Sequence, residues 1–369
     1  MTVLIAGGGT GGHVFPMLAV GQAILRDHPS VQVFYVGTAR GLEAKLVPAA
    51  GGDLEVLDVL PLRGRGALGA ARGLWKATAS LVAAAGLVRR RKPDVVLTVG
   101  GYAGGPVALA ARAMGVPLAV LEPNSVLGLT NRLLSPISQR AYVAFGDVDK
   151  SFGTGVAVRS GVPLRGAFAP RPYAAAAGRF RVLVLGGSLG ASGLNANVPG
   201  AAFELLRAVP FAQVVHQTGR GNESAVREAY RALGEKTAER VSVVEFIDDV
   251  ARELDLADVV LQRCGASSLA ELCVVGRASI LVPYPFATDQ HQLANARTLE
   301  RAGAAIAVSQ ADATPGRLAE LLIDLALAPE KRAQMADSAR GLGRPEAARD
   351  VARDLVELAE KQLQKREAR

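Results

Sequence analysis

The sequence predicts an α/β fold in two halves, each a parallel sheet covered by helices. Three observations carry it. The apolar run Val3-Leu4-Ile5-Ala6 passes into Gly7-Gly8-Gly9-Thr10-Gly11-Gly12-His13, and a second run, Val182-Leu183-Val184-Leu185, passes into Gly186-Gly187-Ser188-Leu189-Gly190. Short apolar runs alternate with helical patterns in both halves, the signature of helix-covered parallel strands. A chain of 369 residues exceeds one ordinary core and suits two domains. A glycine loop between strand and helix brings backbone N–H groups and the helix dipole onto a phosphate. Paired at the starts of two similar halves, such loops imply two nucleotide-binding-like domains facing across a cleft.

Taken in order, strands are expected at Val3–Ala6, Val31–Val36, Val95–Val99 and Leu118–Leu121, with helices between them. Glycine- and proline-rich breaks fall at Pro48–Asp53, Pro61–Gly69 and Gly153–Pro172. The last holds Gly161-Val162-Pro163 and reads as the connection between domains 1–162 and 163–345. Further strands are expected at Val182–Leu185, Gln213–Gln217, Val241–Phe246, Val259–Leu261 and Ser279–Val282, and Ala347–Leu363 reads as one long terminal helix. No short-period repeat occurs, which excludes solenoids. In open α/β sheets ligands bind beyond the carboxyl ends of the strands. The chemistry is therefore expected on Gly100-Gly101-Tyr102, Glu122-Pro123-Asn124, Gly186–Gly190, Phe246-Ile247-Asp248 and Gln262–Glu271.

Half of the residues are hydrophobic and 21% are charged, the balance of a soluble globular protein. Two cysteines, Cys264 and Cys273, with no basic and apolar leader before Val3, point to a cytoplasmic compartment. The residues between them hold no second pair and no clustered histidines, so no metal site is assigned. The net charge of +8 is local: between Asp58 and Asp94 there is no acidic residue, while Arg63, Arg65, Arg72, Lys76, Arg89, Arg90, Arg91 and Lys92 lie inside. The stretch Leu74–Val88 holds the only tryptophan, Trp75, and reads as a helix. At about 22 Å it is too short to span a bilayer core of about 30 Å. A core helix with solvated arginine flanks is one reading. A helix lying on an anionic membrane surface, with Arg72, Trp75, Lys76, Arg89, Arg90 and Arg91 as contacts, is another, each basic group adding about 1 kcal/mol. Few aromatics accompany the charge, which argues against stacking on single strands, and no nucleic-acid partner is assigned.

Gly7, Gly9 and Gly12 fit G-x-G-x-x-G, but the dinucleotide fingerprint needs an acidic residue at the end of the second strand. That strand ends Tyr35-Val36-Gly37-Thr38, and Glu43 comes five residues too late. No Lys-Ser or Lys-Thr follows either loop, so the P-loop motif fails too. His13 closes the first loop either as a helix cap or as a general base, since the positive end of a helix disfavours the imidazolium. A second constellation runs Arg263-Cys264-Gly265-Ala266-Ser267-Ser268-Leu269-Ala270-Glu271, then Pro283-Tyr284-Pro285 and Asp289–Asn295. Gly265–Ser268 is a small-residue turn into a helix. Glu271 can hold a ribose diol, or is a solvated first-turn carboxylate, and the Gln292 amide can read sugar hydroxyls with both donor and acceptor.

The order and spacing of these motifs resemble the MurG family of peptidoglycan N-acetylglucosaminyltransferases over nearly the full chain. The matching motifs are G-G-T-G-G-H at Gly8–His13, G-G-Y at Gly100–Tyr102, E-P-N at Glu122–Asn124, G-L-T-N at Gly128–Asn131 and G-G-S-L-G-A at Gly186–Ala191. H-Q-T-G at His216–Gly219, F-I-D-D at Phe246–Asp249, the Arg263–Glu271 run and H-Q at His291–Gln292 complete the set. The resemblance implies a GT-B architecture of two Rossmann-like domains and a terminal helix, 346–369, packing back on the first. It implies an inverting transferase, without bound metal or other cofactor, that moves N-acetylglucosamine from UDP-N-acetylglucosamine to the muramoyl 4-hydroxyl of lipid I, undecaprenyl-diphosphate-N-acetylmuramoyl-pentapeptide. The enzyme then sits peripherally on the cytoplasmic face of the membrane, which selects the membrane reading of the basic segment.

By position, His13 is the implied base, and Thr10, Gly11 and Gly12 belong to its loop. Asn124, Arg165, Ser188, Ile247, Ala266, Ser267, Ser268, Leu269, Ala270, Glu271 and Gln292 form the implied donor site. Ile247 offers backbone to uracil, Glu271 holds ribose, and Ser188 with the Ala266 turn holds the diphosphate, aided by Arg263. Gly101, Tyr102, Glu122 and Asn131 are acceptor-side candidates. Leu121 stands where many members carry histidine, Pro123 where they carry glutamine and Val162 where asparagine is frequent. Another nucleotide-sugar transferase of the same architecture, or a membrane-surface nucleotide-binding module without turnover, are the alternative functions.

Overall fold

Runs of Val, Ile and Leu that are apolar on both faces form the centres of two wholly parallel sheets, because such strands must be covered by helices on both sides. The structure, a computed structural model, describes residues 1–58, 67–145, 148–187 and 190–367, with the backbone alone over 67–77. Its two units are Met1–Gly166 with Pro345–Arg369, and Ala167–Arg344.

The first unit runs β1 (Thr2–Ala6), α1 (Gly11–Asp27), β2 (Gln32–Gly37), α2 (Glu43–Ala49), β3 (Asp53–Val56), α3 (Ala67–Arg91), β4 (Val95–Thr98), α4 (Gly101–Ala113), β5 (Leu118–Glu122), α5 (Leu129–Leu134), β6 (Arg140–Val143) and β7 (Ala157–Arg159). The second runs β8 (Phe180–Leu185), α6 (Ser192–Ala208), β9 (Ala212–Gln217), α7 (Glu223–Ala232), α8 (Glu235–Ala238), β10 (Val241–Val244), α9 (Val250–Leu256), β11 (Val259–Gln262), α10 (Ala266–Val275), β12 (Ala278–Leu281), α11 (His291–Arg301), β13 (Ala305–Ala307), α12 (Pro315–Leu327) and α13 (Pro329–Leu342). The terminal helix α14 (Ala347–Glu367) belongs to the first unit.

Strand order is β3-β2-β1-β4-β5-β6-β7 in one sheet and β10-β9-β8-β11-β12-β13 in the other. Both orders turn back beside the first strand of the sheet. The turning point pairs Ala6 with Thr98 in the first sheet and Leu185 with Gln262 in the second. Loops leaving the strands there diverge and open a crevice, the switch point at which open α/β sheets bind ligands.

Alternation along β1 splits the first core. Val3 and Ile5 pack with Val14 and Met17 of α1 and Val351 and Leu355 of α14. Leu4 and Ala6 pack on the other face with Ala84, Leu87, Val107 and Ala111 of α3 and α4. Each of the valines, leucines, isoleucines and methionines among these stabilises by about 1.5–3 kcal/mol when fully buried, before entropy is counted. A polar lock fixes α14: Arg140 donates to Asp354 through Nε at 2.8 Å and Nη2 at 3.1 Å, and the Tyr142 hydroxyl donates to Asp354 at 2.8 Å.

The two-sheet α/β class expected from the sequence holds, while four strands escape it. β3, β7 and β13 are three- or four-residue sheet edges, and β6 alternates Arg140 and Tyr142 with alanine and valine, so none carries a long apolar run. β7 lies inside the stretch read as an interdomain connection. The helix expected over Leu74–Val88 extends to Ala67–Arg91, since alanine, leucine and arginine favour helix and no proline intervenes before Pro93. The terminal helix continues past Leu363 to Glu367.

Candidate functional site

At the first switch point β1 ends at Ala6 and α1 begins at Gly11, with Thr10 as an N-cap in extended conformation. The loop between them turns on Gly8 and Gly9, at φ +141° and +95°, which side-chain-bearing residues rarely adopt. His13 is the third residue of α1 and not its cap. Its Nδ1 lies 3.0 Å from Gly8 O. A carbonyl only accepts, so Nδ1 carries the proton, and in the neutral imidazole the lone pair is on Nε2. Glu43, at the start of α2, is fully buried against this loop. It accepts from Gly9 N at 2.8 Å, Thr38 N at 2.8 Å and the Thr38 hydroxyl at 2.9 Å. Burial works against its charge, but the bonds from Gly9 and Thr38 outweigh burial and hold the carboxyl below its ordinary range.

The loop after β4 meets the same glycines: a Cβ on Gly101 would lie 2.8 Å from Gly8 O. Tyr102 beside it is exposed. Glu122 and Asn131, expected on the acceptor side, are buried and serve the β5 loop. Glu122 accepts from Asn124 N and Nδ2, both at 3.1 Å, from Gly128 N at 2.9 Å and from Asn131 Nδ2 at 2.9 Å. Arg165 lies over the Phe15 ring of α1, 4.7 Å from its centre. Asn124, Arg165, Thr10, Gly11 and Gly12 thus lie in the first unit, and most of the expected donor set lies in the second.

In the second unit the loop after β8 passes Gly186 and Gly187; Ser188 and Leu189 lie outside the described residues. Gln217, at the end of β9, clamps this loop. Its Oε1 accepts from Gly187 N at 3.0 Å, and its Nε2 donates to Gly187 O at 2.9 Å and to Glu245 O at 3.2 Å, just ahead of Ile247. Beneath it, buried His216 joins the Tyr230 hydroxyl at 3.0 Å to Asn195 Oδ1 at 3.1 Å. Burial pushes this imidazole down to about 4.

At the second switch point Gly265 caps α10 in extended conformation. The first N–H groups of a helix have no intrahelical acceptor. Ser268 Oγ donates to Gly265 O at 2.9 Å, while Ser267 Oγ is buried without a hydrogen-bond partner. Leu269 and Ala270 point into the core, so they offer a ligand only main chain. Glu271 falls in the second turn of α10, not the first, and is partly exposed. Arg263 Nη1 donates to Val282 O at 3.1 Å and to Pro283 O at 3.3 Å. The Gln292 oxygen is spent as well, accepting from Cys264 N at 3.2 Å and Tyr284 N at 2.9 Å. Just before α11, Asp289 and Gln290 sit at φ +51° and +52°, local strain of the kind functional sites retain. Cys264 and Cys273 are buried free thiols, Cys273 pushed up to about 12 by burial.

Sequence reasoning missed Gln217 and set Glu43 aside. The glycines at 8, 37 and 41 were the available signal for Glu43, since a Cβ on any of them would overlap its side chain.

Among the described residues no helix is long and apolar enough to cross a membrane. The side chains of Arg72, Trp75 and Lys76 lie outside them. Arg89 is exposed, Arg90 stands 3.9 Å from Glu55, and Arg91 donates to Glu55 at 2.7 Å and covers the Phe34 ring at 4.1 Å. Arg91 is thus committed within the fold. The same helix, α3, exposes Leu81 and Val82, the latter by 73%, and α5 exposes Leu129 and Leu133.

Residues 3–143 match the glycosyltransferase family 28 N-terminal domain, and residues 181–355 match its C-terminal domain. A Sorangium cellulosum protein named UDP-N-acetylglucosamine--N-acetylmuramyl-(pentapeptide) pyrophosphoryl-undecaprenol N-acetylglucosamine transferase is 56% identical over 97% of this chain and 89% of its own. The crystal structure of Acinetobacter baumannii MurG superposes with a TM-score of 0.82 at 30% identity, covering 96% of this chain and 99% of that one. A UDP-GlcNAc 2-epimerase from Neisseria meningitidis, bound to UDP-GlcNAc, shares the fold alone, at TM-score 0.67 and 15% identity over 97% of this chain and 100% of its own. Two glycine-loop units in this order, matched along nearly their whole length, place the chain in glycosyltransferase family 28, and within that family it belongs to the MurG transferases.

Proposed function

We propose that the chain is an inverting hexosyltransferase that moves N-acetylglucosamine from UDP-N-acetylglucosamine to the muramoyl 4-hydroxyl of lipid I, giving lipid II and UDP during peptidoglycan synthesis. The observation that carries the reading is full-length identity of 56% to a transferase named for that reaction. In this reading His13 Nε2 takes the proton of the attacking hydroxyl, and the oxygen displaces UDP from the opposite face in one step. Charge growing on the leaving diphosphate meets the free N–H groups at the start of α10 and the loop held by Gln217, donors fixed in advance of the reaction. Glu271 holds the ribose, the backbone at Ile247 reads uracil, and Gln292 Nε2 binds the sugar.

The acceptor's prenyl chain requires work at a bilayer surface. The cationic end of α3 and the exposed Leu81, Val82, Leu129 and Leu133 support peripheral attachment there. The test is UDP release on mixing the protein with UDP-N-acetylglucosamine and a water-soluble lipid I analogue. Release that depends on the analogue is expected; saturable donor binding without release would overturn the transferase reading.

A further inference from the structure

We propose that Glu43 is a positioning residue for His13, acting through the single peptide unit between Gly8 and Gly9. The inference rests on the reading of His13 as the base. The two ends of that peptide are both engaged: its C=O accepts the His13 Nδ1–H at 3.0 Å, and its N–H donates to Glu43 Oε2 at 2.8 Å. A buried carboxylate therefore faces an imidazole with one polarisable amide inserted between them.

Three observations separate this device from a carboxylate that merely fills space. First, Glu43 is 0% exposed, and room for it exists only because Gly8, Gly37 and Gly41 lack a Cβ. Second, Gly8 and Gly9 both lie in the region that side chains rarely adopt, so steric preference does not orient their peptide plane and the bonds at its ends do. Third, the other carboxylate oxygen is anchored by Thr38 N and Oγ1, which fixes Oε2 on the loop. Linked hydrogen bonds polarise one another, so a charged acceptor on Gly9 N–H makes Gly8 O a stronger acceptor for His13. The imidazole is held in the Nδ1–H form with Nε2 open to the substrate. A carboxylate bound directly to the histidine does this in hydrolase triads, where the wrong tautomer is costly. The charge of Glu43 is secured by the same bonds, which hold its carboxyl below the ordinary range although burial opposes them.

The test joins a spectrum to a kinetic cycle. The chain has four histidines, so 15N-histidine labelling with His13→Ala as the assignment control reads the His13 tautomer directly. Wild type should show a protonated Nδ1 and an unprotonated Nε2, and Glu43→Gln should show mixed tautomers. In turnover, Glu43→Gln should lower kcat by about 10- to 100-fold, part of what a general base supplies, with KM for UDP-N-acetylglucosamine within about twofold. Combined with His13→Ala it should add almost nothing, because both changes remove one function. A tautomer unmoved by Glu43→Gln, or losses that multiply in the double variant, would overturn the proposal. If Glu43→Gln does not melt cooperatively, Thr38→Val removes one anchor of the carboxylate, and the same tautomer shift and the same cycle, reduced in size, are required. If His13→Ala turns over like wild type, the base reading has failed, and the tautomer spectrum still decides the link to Glu43.

Discussion

A general base needs an available lone pair, and at His13 the bond to Gly8 O leaves it on Nε2. His13→Ala should therefore cost about 10²- to 10⁴-fold in kcat, while calorimetric affinity for UDP-N-acetylglucosamine stays within a few-fold. A loss below tenfold would return the residue to a loop-packing role. Glu271 belongs to the other side of that division. On the proposed ribose-holding role of its carboxylate in the second turn of α10, Glu271→Ala should weaken donor binding by about tenfold or more, as loss of a charged hydrogen-bond acceptor does. Equal dissociation constants in calorimetry would refute that assignment. Both residues stand out in the sequence because each lies within a few positions of a glycine turn at a strand end, a purely local signal. Glu43 and Gln217 do not, since their partners Gly9 and Gly187 stand 34 and 30 positions away. For the same reason the spent oxygen of Gln292 could not be read from its neighbours, because Cys264 N reaches it from 28 positions away.

Between elements, the second unit is tied by a neutral histidine. His216 on β9 bridges Tyr230 of α7 and Asn195 of α6, and Asn195 passes the connection to Thr218 O at 3.0 Å. The imidazole, ordinarily near 6.5, is pushed down to about 4 by burial. The unfolded chain therefore binds a proton in a pH range where the folded chain does not. Stability from this group is complete above 6.5 and is lost as pH falls from 6.5 toward 4, at up to about 1.4 kcal/mol per pH unit. Urea unfolding between pH 7 and 4 should show that slope in wild type and a flatter one in His216→Gln. Equal slopes would mean that the imidazole is not held neutral. The strands that carry such ties were legible as apolar runs at the sheet centres. The edges β3, β7 and β13 were not, because edge strands need fewer apolar residues and tolerate charge.

For the molecule as a whole, the excess of positive charge is confined to one segment, and its eight cations between Asp58 and Asp94 equal the net +8. That concentration was visible in the chain, and so was the full-length order of motifs that marks the family. Which cations remain available was not visible, because Glu55 lies outside the basic run and meets its end only when β3 is in place. Arg91 is held by Glu55 and Phe34, whereas Arg89 is exposed and Arg90 stands at the 3.9 Å margin of an ion pair. If the segment seats the enzyme on an anionic bilayer, each free cation contributes about 1 kcal/mol, close to fivefold in partitioning. Arg89→Gln with Arg90→Gln should then reduce sedimentation with anionic vesicles by about 20- to 30-fold at low salt, and Arg91→Gln by clearly less. The difference should shrink as salt shortens the screening length from about 30 Å at 0.01 M to about 8 Å at 0.15 M. Turnover of a water-soluble acceptor analogue should be unaffected, since its encounter with the site does not pass through the bilayer. Equal sedimentation of wild type and the Arg89/Arg90 variant would assign these arginines to solvent and leave attachment to the apolar side chains of α3 and α5.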